Sequence, residues 1–139
     1  MKVPRRTSKN LVEQRGGLTP ARLRHVKNYI HSHLNEELSL RELAKLAQLS
    51  PYHFGRLFKQ STGLSPHQFV MRQRIAKGRE LLAEEYLSIA EIGDQLGFAS
   101  QSHFTTVFRN LAGTTPSRYR QKKERPWQPL GSSLLAVVI

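Results

Sequence analysis

An internal repeat constrains this chain more than any other feature of its sequence. Residues 39–69 return as residues 88–119, at an offset of about fifty positions that slips by one within a turn. The matched landmarks are Ser39 with Ser88, His53 with His103, Phe58 with Phe108, Gly63 with Gly113 and Pro66 with Pro116. Each copy has the pattern of two short helices joined by a tight corner.

Helix-start signals recur in the same places in both copies. Ser39-x-x-Glu42 and Ser88-x-x-Glu91 are capping boxes, in which the hydroxyl and the carboxylate each accept a backbone N–H. Upstream, Thr19 followed by Pro20 predicts the start of a first helix, with an apolar stripe at spacings of three and four. The chain is therefore predicted to be all-α, with about seven helices.

The second helix of each copy carries its apolar residues on one side, and a glycine follows it where a left-handed residue would end the helix. Residues 65 to about 84 contain no breaker except Gly78, which predicts a long helix between the halves, with Phe69, Ala76 and Leu82 among its packed positions. A linker of about 18 residues spans about 27 Å. Major grooves on one face of a DNA duplex repeat at about 34 Å. The second helices of the two copies, here called the reading helices, could therefore occupy adjacent grooves.

Five segments follow from this pattern. They are a basic arm or linker at 1–18, a first helix-turn-helix subdomain at 19–64, a linker helix at 65–85, a second helix-turn-helix subdomain at 86–124 and an irregular tail at 125–139. The apolar end of that tail is too short to span a bilayer, which needs about 20 residues.

Charge composition narrows the class of partner. Lys and Arg number 22 against 10 Asp and Glu, for a net charge of +12 with histidines neutral. Such a field attracts polyanions, nucleic acid first and an anionic membrane surface second, although a solubilising basic surface is the simpler alternative. With no cysteine, disulfides and thiolate sites are excluded. The basic start lacks an apolar signal-peptide core, which favours the cytoplasm.

Two short helices crossing steeply need a small residue at the crossing and a tight turn after it. Ala44 and Gly93 occupy the crossing position. Gly97 suits a positive φ in the second turn, whereas Gln48 would cost roughly 1 kcal/mol if its backbone were left-handed. These are the requirements of a helix-turn-helix, whose second helix enters the major groove of DNA.

The outward rows of the two second helices are the candidate base-reading residues. Arg56 can donate two hydrogen bonds to a guanine, Tyr52 can contact a thymine methyl or a phosphate, and Gln101 can pair with adenine. The side chains of the second row are shorter and uncharged, which predicts that this helix discriminates bases less strongly. Alternatively, it contributes readout of DNA shape or readout through water. The complete candidate set is Tyr52, Gly55, Arg56 and Lys59, then Gln101, Ser102, Thr105 and Thr106.

Phosphate contacts are expected where helix N-termini or basic side chains can meet the DNA backbone. The N-terminal candidates are Ser39 and Leu40 in the first copy, with Ser88 and Ile89 in the second. Basic candidates are Arg72, Arg74, Arg109, Arg118 and Arg120.

With these residues in place, residues 20–121 closely resemble the DNA-binding domain of AraC/XylS-type bacterial transcription regulators. The resemblance rests on residues 40–59, 63–66, 89–93 and 97–108, and on 113–120. It implies two subdomains bridged by a long helix, binding to asymmetric promoter DNA, and contact with RNA polymerase to activate genes. It also assigns base contacts to the two rows above, where Gly55 departs from the polar residue expected.

Most such regulators carry an effector-binding and dimerisation domain before this one. The chain is then either a short stand-alone regulator or the C-terminal piece of a longer one, and the Gly16-Gly17 pair, which resembles an interdomain linker, favours the piece.

Two other classes of function compete with this interpretation. Six histidines raise the question of a metal enzyme, but none has an Asp or Cys partner at ligand spacing, so no catalytic residue, metal or cofactor is expected. The other rival is a non-specific RNA- or DNA-binding or protein-interaction module. Single-stranded RNA binding favours exposed aromatic residues, whereas nearly all aromatics here fall on the inward stripes.

Overall fold

The computed structural model describes residues 17–123, and in that part of the chain all regular structure is helical. Seven helices follow one another: α1 Pro20–Ser32, α2 Leu40–Leu46, α3 Pro51–Thr62, α4 Pro66–Leu81, α5 Ile89–Gln95, α6 Gln101–Ala112 and α7 Pro116–Lys123. The prediction of an all-α fold with about seven helices is confirmed. The predicted basic arm up to residue 16 and the tail from residue 125 lie outside the described residues.

Side-chain caps explain where most of these helices begin. Ser50 Oγ accepts the His53 backbone N–H at 3.2 Å, and Ser100 Oγ accepts that of His103 at 3.0 Å. Each cap satisfies one of the first-turn N–H groups that have no partner inside the helix. The reading helices α3 and α6 therefore start at matched positions for the same local reason.

The two predicted capping boxes turn out differently. At α5 the box is complete, because Ser88 Oγ accepts the Glu91 N–H and Glu91 Oε1 accepts the Ser88 N–H, both at 3.0 Å. At α2 only the first half forms, with Ser39 Oγ 3.1 Å from the Glu42 nitrogen. The pattern of residues thus predicted both helix starts but the reciprocal bond of only one.

Helix α4 is shorter than the predicted span. Ala83 and Glu84 donate their N–H groups to Glu80 and Leu81, three residues back, which tightens the chain into a turn and ends the helix. Leu82 is fully buried, as predicted, whereas Ala76 is exposed and its assignment to the packed side was wrong. Ala is small and compatible with either face, so it carried little information about the face.

The described residues form two compact units, and the change of unit within α4 falls between Val70 and Met71. The first unit contains residues 17–33 and Leu38–Val70. Its core is closed by three rings: Phe54 and Phe58 have centroids 5.5 Å apart, and Phe69 meets Phe58 edge-on at 5.3 Å. The five-part division predicted from sequence stays a prediction.

The second unit contains Leu34–Glu37 and residues 71–123. Ile75, Ile92, Phe104 and Phe108 are essentially inaccessible to solvent, and Tyr119 packs edge-on against Phe108 with centroids 5.5 Å apart. The phenylalanines that recur at matched positions therefore pack in the core of both units. Across the described span, no helix is long and apolar enough to cross a membrane.

Candidate nucleic-acid interface

A tight corner orients α3 in the first unit. The Leu49 N–H donates to the Ala44 carbonyl at 3.0 Å, and Gln48 between them has φ 59°. A left-handed backbone at a residue with a Cβ costs roughly 1 kcal/mol, and here the corner imposes it. Ala44 and Ala47 are each 1% exposed, so a larger side chain at either position would displace its neighbours. Gln48 therefore has the left-handed backbone for which the sequence predicts this cost.

The second unit has the same corner with different residues. The Phe98 N–H donates to the Gly93 carbonyl at 3.0 Å, and Gly97 has φ 82°, the positive value predicted for it. A Cβ on Gly93 would lie 3.2 Å from the Cβ of Phe104 on α6, closer than most Cβ contacts, so this crossing favours the smallest residue. Both corners therefore fix the direction of the helix that follows.

The predicted reading row of α3 lies on its solvent side. Tyr52 is 75% exposed, Arg56 and Lys59 are exposed, and Gly55 is half-buried. The Arg56 guanidinium stands over the Tyr52 ring, 6.0 Å from its centroid, one helical turn away. The opposite side of α3 carries the buried Phe54, Leu57 and Phe58. An aromatic ring and a cation are thus held together at the surface of the first unit.

The predicted reading row of α6 is also accessible but has a different chemistry. Gln101, Ser102 and Thr106 are exposed and Thr105 is half-buried, while Arg109 is exposed one turn further on. Hydroxyl and amide groups can donate and accept hydrogen bonds but carry no charge. That these rows contact bases stays a prediction.

Acidic residues are segregated away from these helices. The sequence has no Asp or Glu between Glu42 and Glu80, and none between Asp94 and Glu124. Helices α3, α6 and α7 lie in these intervals, so a duplex approaching them would meet no fixed negative charge on them. Repulsion between a carboxylate and a phosphate would otherwise oppose binding.

The predicted phosphate contacts at helix starts are at least partly accessible. Leu40 is 43% exposed and Ser88 is exposed, while Ser39 and Ile89 are half-buried. Among the basic candidates, Arg109 and Arg118 are exposed and Arg72 is half-buried. Their contacts with phosphate remain predictions.

Arg74 is a predicted phosphate contact that the structure contradicts. Its side chain is 6% exposed, and it donates from Nε to the Leu34 carbonyl at 3.1 Å and from Nη2 to the Glu36 carbonyl at 2.7 Å. The guanidinium also lies 5.8 Å from the centre of the Phe98 ring. Burial lowers the pKa of Arg74, although an arginine stays charged in proteins. Because its donors are committed to backbone carbonyls, the prediction that Arg74 contacts DNA phosphate was wrong.

Arg120, also a candidate for phosphate contact, repeats this arrangement. Its Nε donates to the Leu82 carbonyl at 3.0 Å and its Nη2 to the Glu84 carbonyl at 3.1 Å. Both arginines therefore bind carbonyls two residues apart in the turn that follows a helix. The matched Leu-x-Glu sequences at 34–36 and 82–84 were the available signal, but nothing in them indicated an arginine partner.

Metal chemistry finds no support in the described part of the chain. It contains no group of three or more His, Asp or Glu side chains arranged to hold a metal ion. His33 instead stacks on Tyr29 with centroids 3.9 Å apart, and His103 meets Phe98 edge-on.

Residues 43–122 match the family described as "Helix-turn-helix domain". The Regulatory protein PocR of Salmonella typhimurium is 41% identical over 108 residues, which covers 76% of this chain and 36% of the relative. The Probable transcriptional regulator LumQ of Photobacterium leiognathi is 39% identical over 95 residues, covering 68% of this chain and 38% of the relative. The chain thus spans well under half the length of these curated relatives.

Solved structures similar to this chain include an AraC-type transcriptional regulator from Chromobacterium violaceum, with a TM-score of 0.72 and 30% identity. The match covers 77% of this chain and 96% of that one. The DNA-binding domain of AdpA, solved in complex with a target DNA, has a TM-score of 0.70 at 30% identity, covering 76% of this chain and 97% of that one.

Two corner-joined helix pairs with accessible second helices define a DNA-binding helix-turn-helix protein. The chain belongs to the AraC-type family of transcription regulators. The resemblance inferred from the repeat is thereby confirmed, and the relatives that the chain matches are transcription regulators.

Proposed function

We propose that this chain is the sequence-specific DNA-binding part of a bacterial transcription activator, and that α3 and α6 enter adjacent major grooves of one asymmetric site. The observation that carries the proposal is the pairing of two accessible polar rows with the absence of acidic residues from both helices. One row is built around Arg56 and Tyr52, and the other around Gln101 and Thr106.

The two rows predict unequal half-sites. Arg56 offers a forked donor that matches the O6 and N7 acceptors of guanine, so the half-site under α3 should contain a required guanine. The amide and hydroxyl groups of α6 adapt to more than one base edge, so the second half-site should be more degenerate. Two unequal halves give the site a direction.

The remaining parts of the account concern the longer protein. The matched relatives are much longer than this segment, which leaves room for the effector-binding and dimerisation domain that the family resemblance implies on its N-terminal side. Contact with RNA polymerase would explain activation, and promoter binding would take place in the cytoplasm. In this proposal the segment itself binds DNA, with no catalytic role and no cofactor.

Selection of duplexes from a random-sequence library by the 139-residue chain tests the proposal. We expect an enriched motif with two unequal halves about one helical turn apart, the stricter half containing guanine. Equal affinity for enriched and scrambled duplexes, or preference for single strands, would instead support the alternative of a non-specific nucleic-acid-binding module.

A further inference from the structure

Gly55 is the one glycine among the described residues that the protein's own structure does not explain. Four of the seven have positive φ, namely Gly17, Gly63, Gly97 and Gly113. A Cβ on Gly78 would lie 3.0 Å from Leu96, and one on Gly93 would lie 3.2 Å from Phe104. A Cβ on Gly55 would meet nothing within 4 Å.

Glycine at this position is unfavourable for the helix itself. Gly55 lies in the interior of α3, where glycine is less favourable than alanine because its unfolded backbone has more freedom to lose. The matched position in α6 is Thr105, so the repeat tolerates a side chain at this place in the fold. No contact among the described residues therefore requires glycine at this position.

The position of Gly55 indicates what that reason is. Tyr52, Gly55, Arg56 and Lys59 share the solvent side of α3, at spacings of three and four that place residues on one helical face. The missing side chain leaves a gap in this row, the Gly55 notch, about one helical turn along α3 from Tyr52. A notch without a polar side chain offers van der Waals contact but no side-chain hydrogen bond.

We propose that the Gly55 notch receives the 5-methyl group of a thymine next to the guanine read by Arg56. Among the base-edge groups displayed in the major groove, the thymine methyl is the apolar one, and it requires no hydrogen bond. The inference rests on the proposed function, and it makes Gly55 a specificity determinant through close approach of the helix backbone.

The test uses the full chain and the duplex that it enriches from a random library. Each thymine of the α3 half-site is replaced in turn by uracil, which removes only the methyl group. One replacement should weaken wild-type binding about fourfold, the value of one buried methyl. Gly55→Ala should bind the thymine duplex roughly tenfold more weakly, because two methyl groups would overlap, and should prefer the uracil duplex at that same position.

Thermal unfolding supplies the second readout. Gly55→Ala should raise the melting temperature by roughly 3–8 °C, because alanine favours the helix and has room there. Asn28→Ala, an exposed position inside α1, is the matched control: it should also raise the melting temperature but leave the ratio of thymine to uracil affinity unchanged.

An unchanged ratio in Gly55→Ala, or no uracil-sensitive position in the wild-type chain, would overturn the inference while the proposed function stands. A lower melting temperature for Gly55→Ala would overturn it too, because the glycine would then serve the fold. Failure to enrich any duplex would contradict the proposed function, and the inference with it.

Discussion

Arg74 Nε lies 3.1 Å from the carbonyl oxygen of Leu34, forty residues earlier in the chain. With the second bond to Glu36, this contact holds the segment that follows α1 within the second unit. A Cβ on Gly97 would lie 2.8 Å from the same Leu34 oxygen and 3.0 Å from Arg74 Nη2. The corner before α6 is therefore packed directly against Leu34 and Arg74, and position 97 requires glycine.

Removing this arginine should destabilise the protein. Arg74→Ala leaves two carbonyls without their charged donor and should lower the free energy of unfolding by about 2–4 kcal/mol, measured by urea denaturation. Arg74→Lys should recover only part of the loss, because an ammonium lacks the planar fork. If Arg74→Ala left stability unchanged but weakened DNA binding, the result would contradict this role and support the phosphate contact predicted from the sequence.

Arg56 should act on binding and not on folding. Arg56→Ala should cost about 1–3 kcal/mol of binding free energy and relax the preference at one base pair, because the exposed guanidinium matches a guanine edge. Affinity for duplexes varied at each position measures both effects. A uniform loss across all sequences, with no position relaxed, would show that Arg56 contacts phosphate.

Salt dependence separates the backbone contacts from the base contacts. Each phosphate neutralised by a basic side chain releases condensed counterions, so Arg118→Ala should reduce the slope of log affinity against log salt by about 1. It should weaken binding to all duplexes alike. Arg24→Ala, an exposed position on α1 with no predicted contact, is the control and should leave the slope unchanged.

The complete cap at α5 predicts a pH effect on stability. Hydrogen bonds from the Ser88 backbone and side chain hold the pKa of Glu91 below its ordinary value. A carboxyl whose pKa is lower in the folded state stabilises the fold above the unfolded pKa, near 4.3 for Glu. That stabilisation is lost as the pH falls through the folded value.

Glu91→Gln should therefore flatten the acid side of the stability profile, measured by denaturation between neutral pH and pH 3. Glu42→Gln is the matched control in the first copy, where only the Ser39 half of the cap forms. An acid profile altered equally by both changes would contradict the role assigned to the Glu91 carboxylate.

Local chemistry explains how far the sequence could predict this fold. The caps at Ser50 and Ser100 involve residues only three positions away, so they could be predicted from the sequence. The positive φ of Gly97 could be predicted as well. The role of Arg74 was not predictable, because it depends on carbonyls forty residues away that every residue possesses. The empty space at Gly55 likewise depends on what surrounds the helix, and a sequence does not record that.

The central claim is that α3 and α6 read one duplex together. Hydroxyl-radical footprinting of the enriched duplex tests it most directly, comparing the wild-type chain with Arg56→Ala and Thr106→Ala. We predict two protected segments about 10 base pairs apart, with each variant weakening protection in a different segment. A single protected segment, unaffected by Thr106→Ala, would contradict the account.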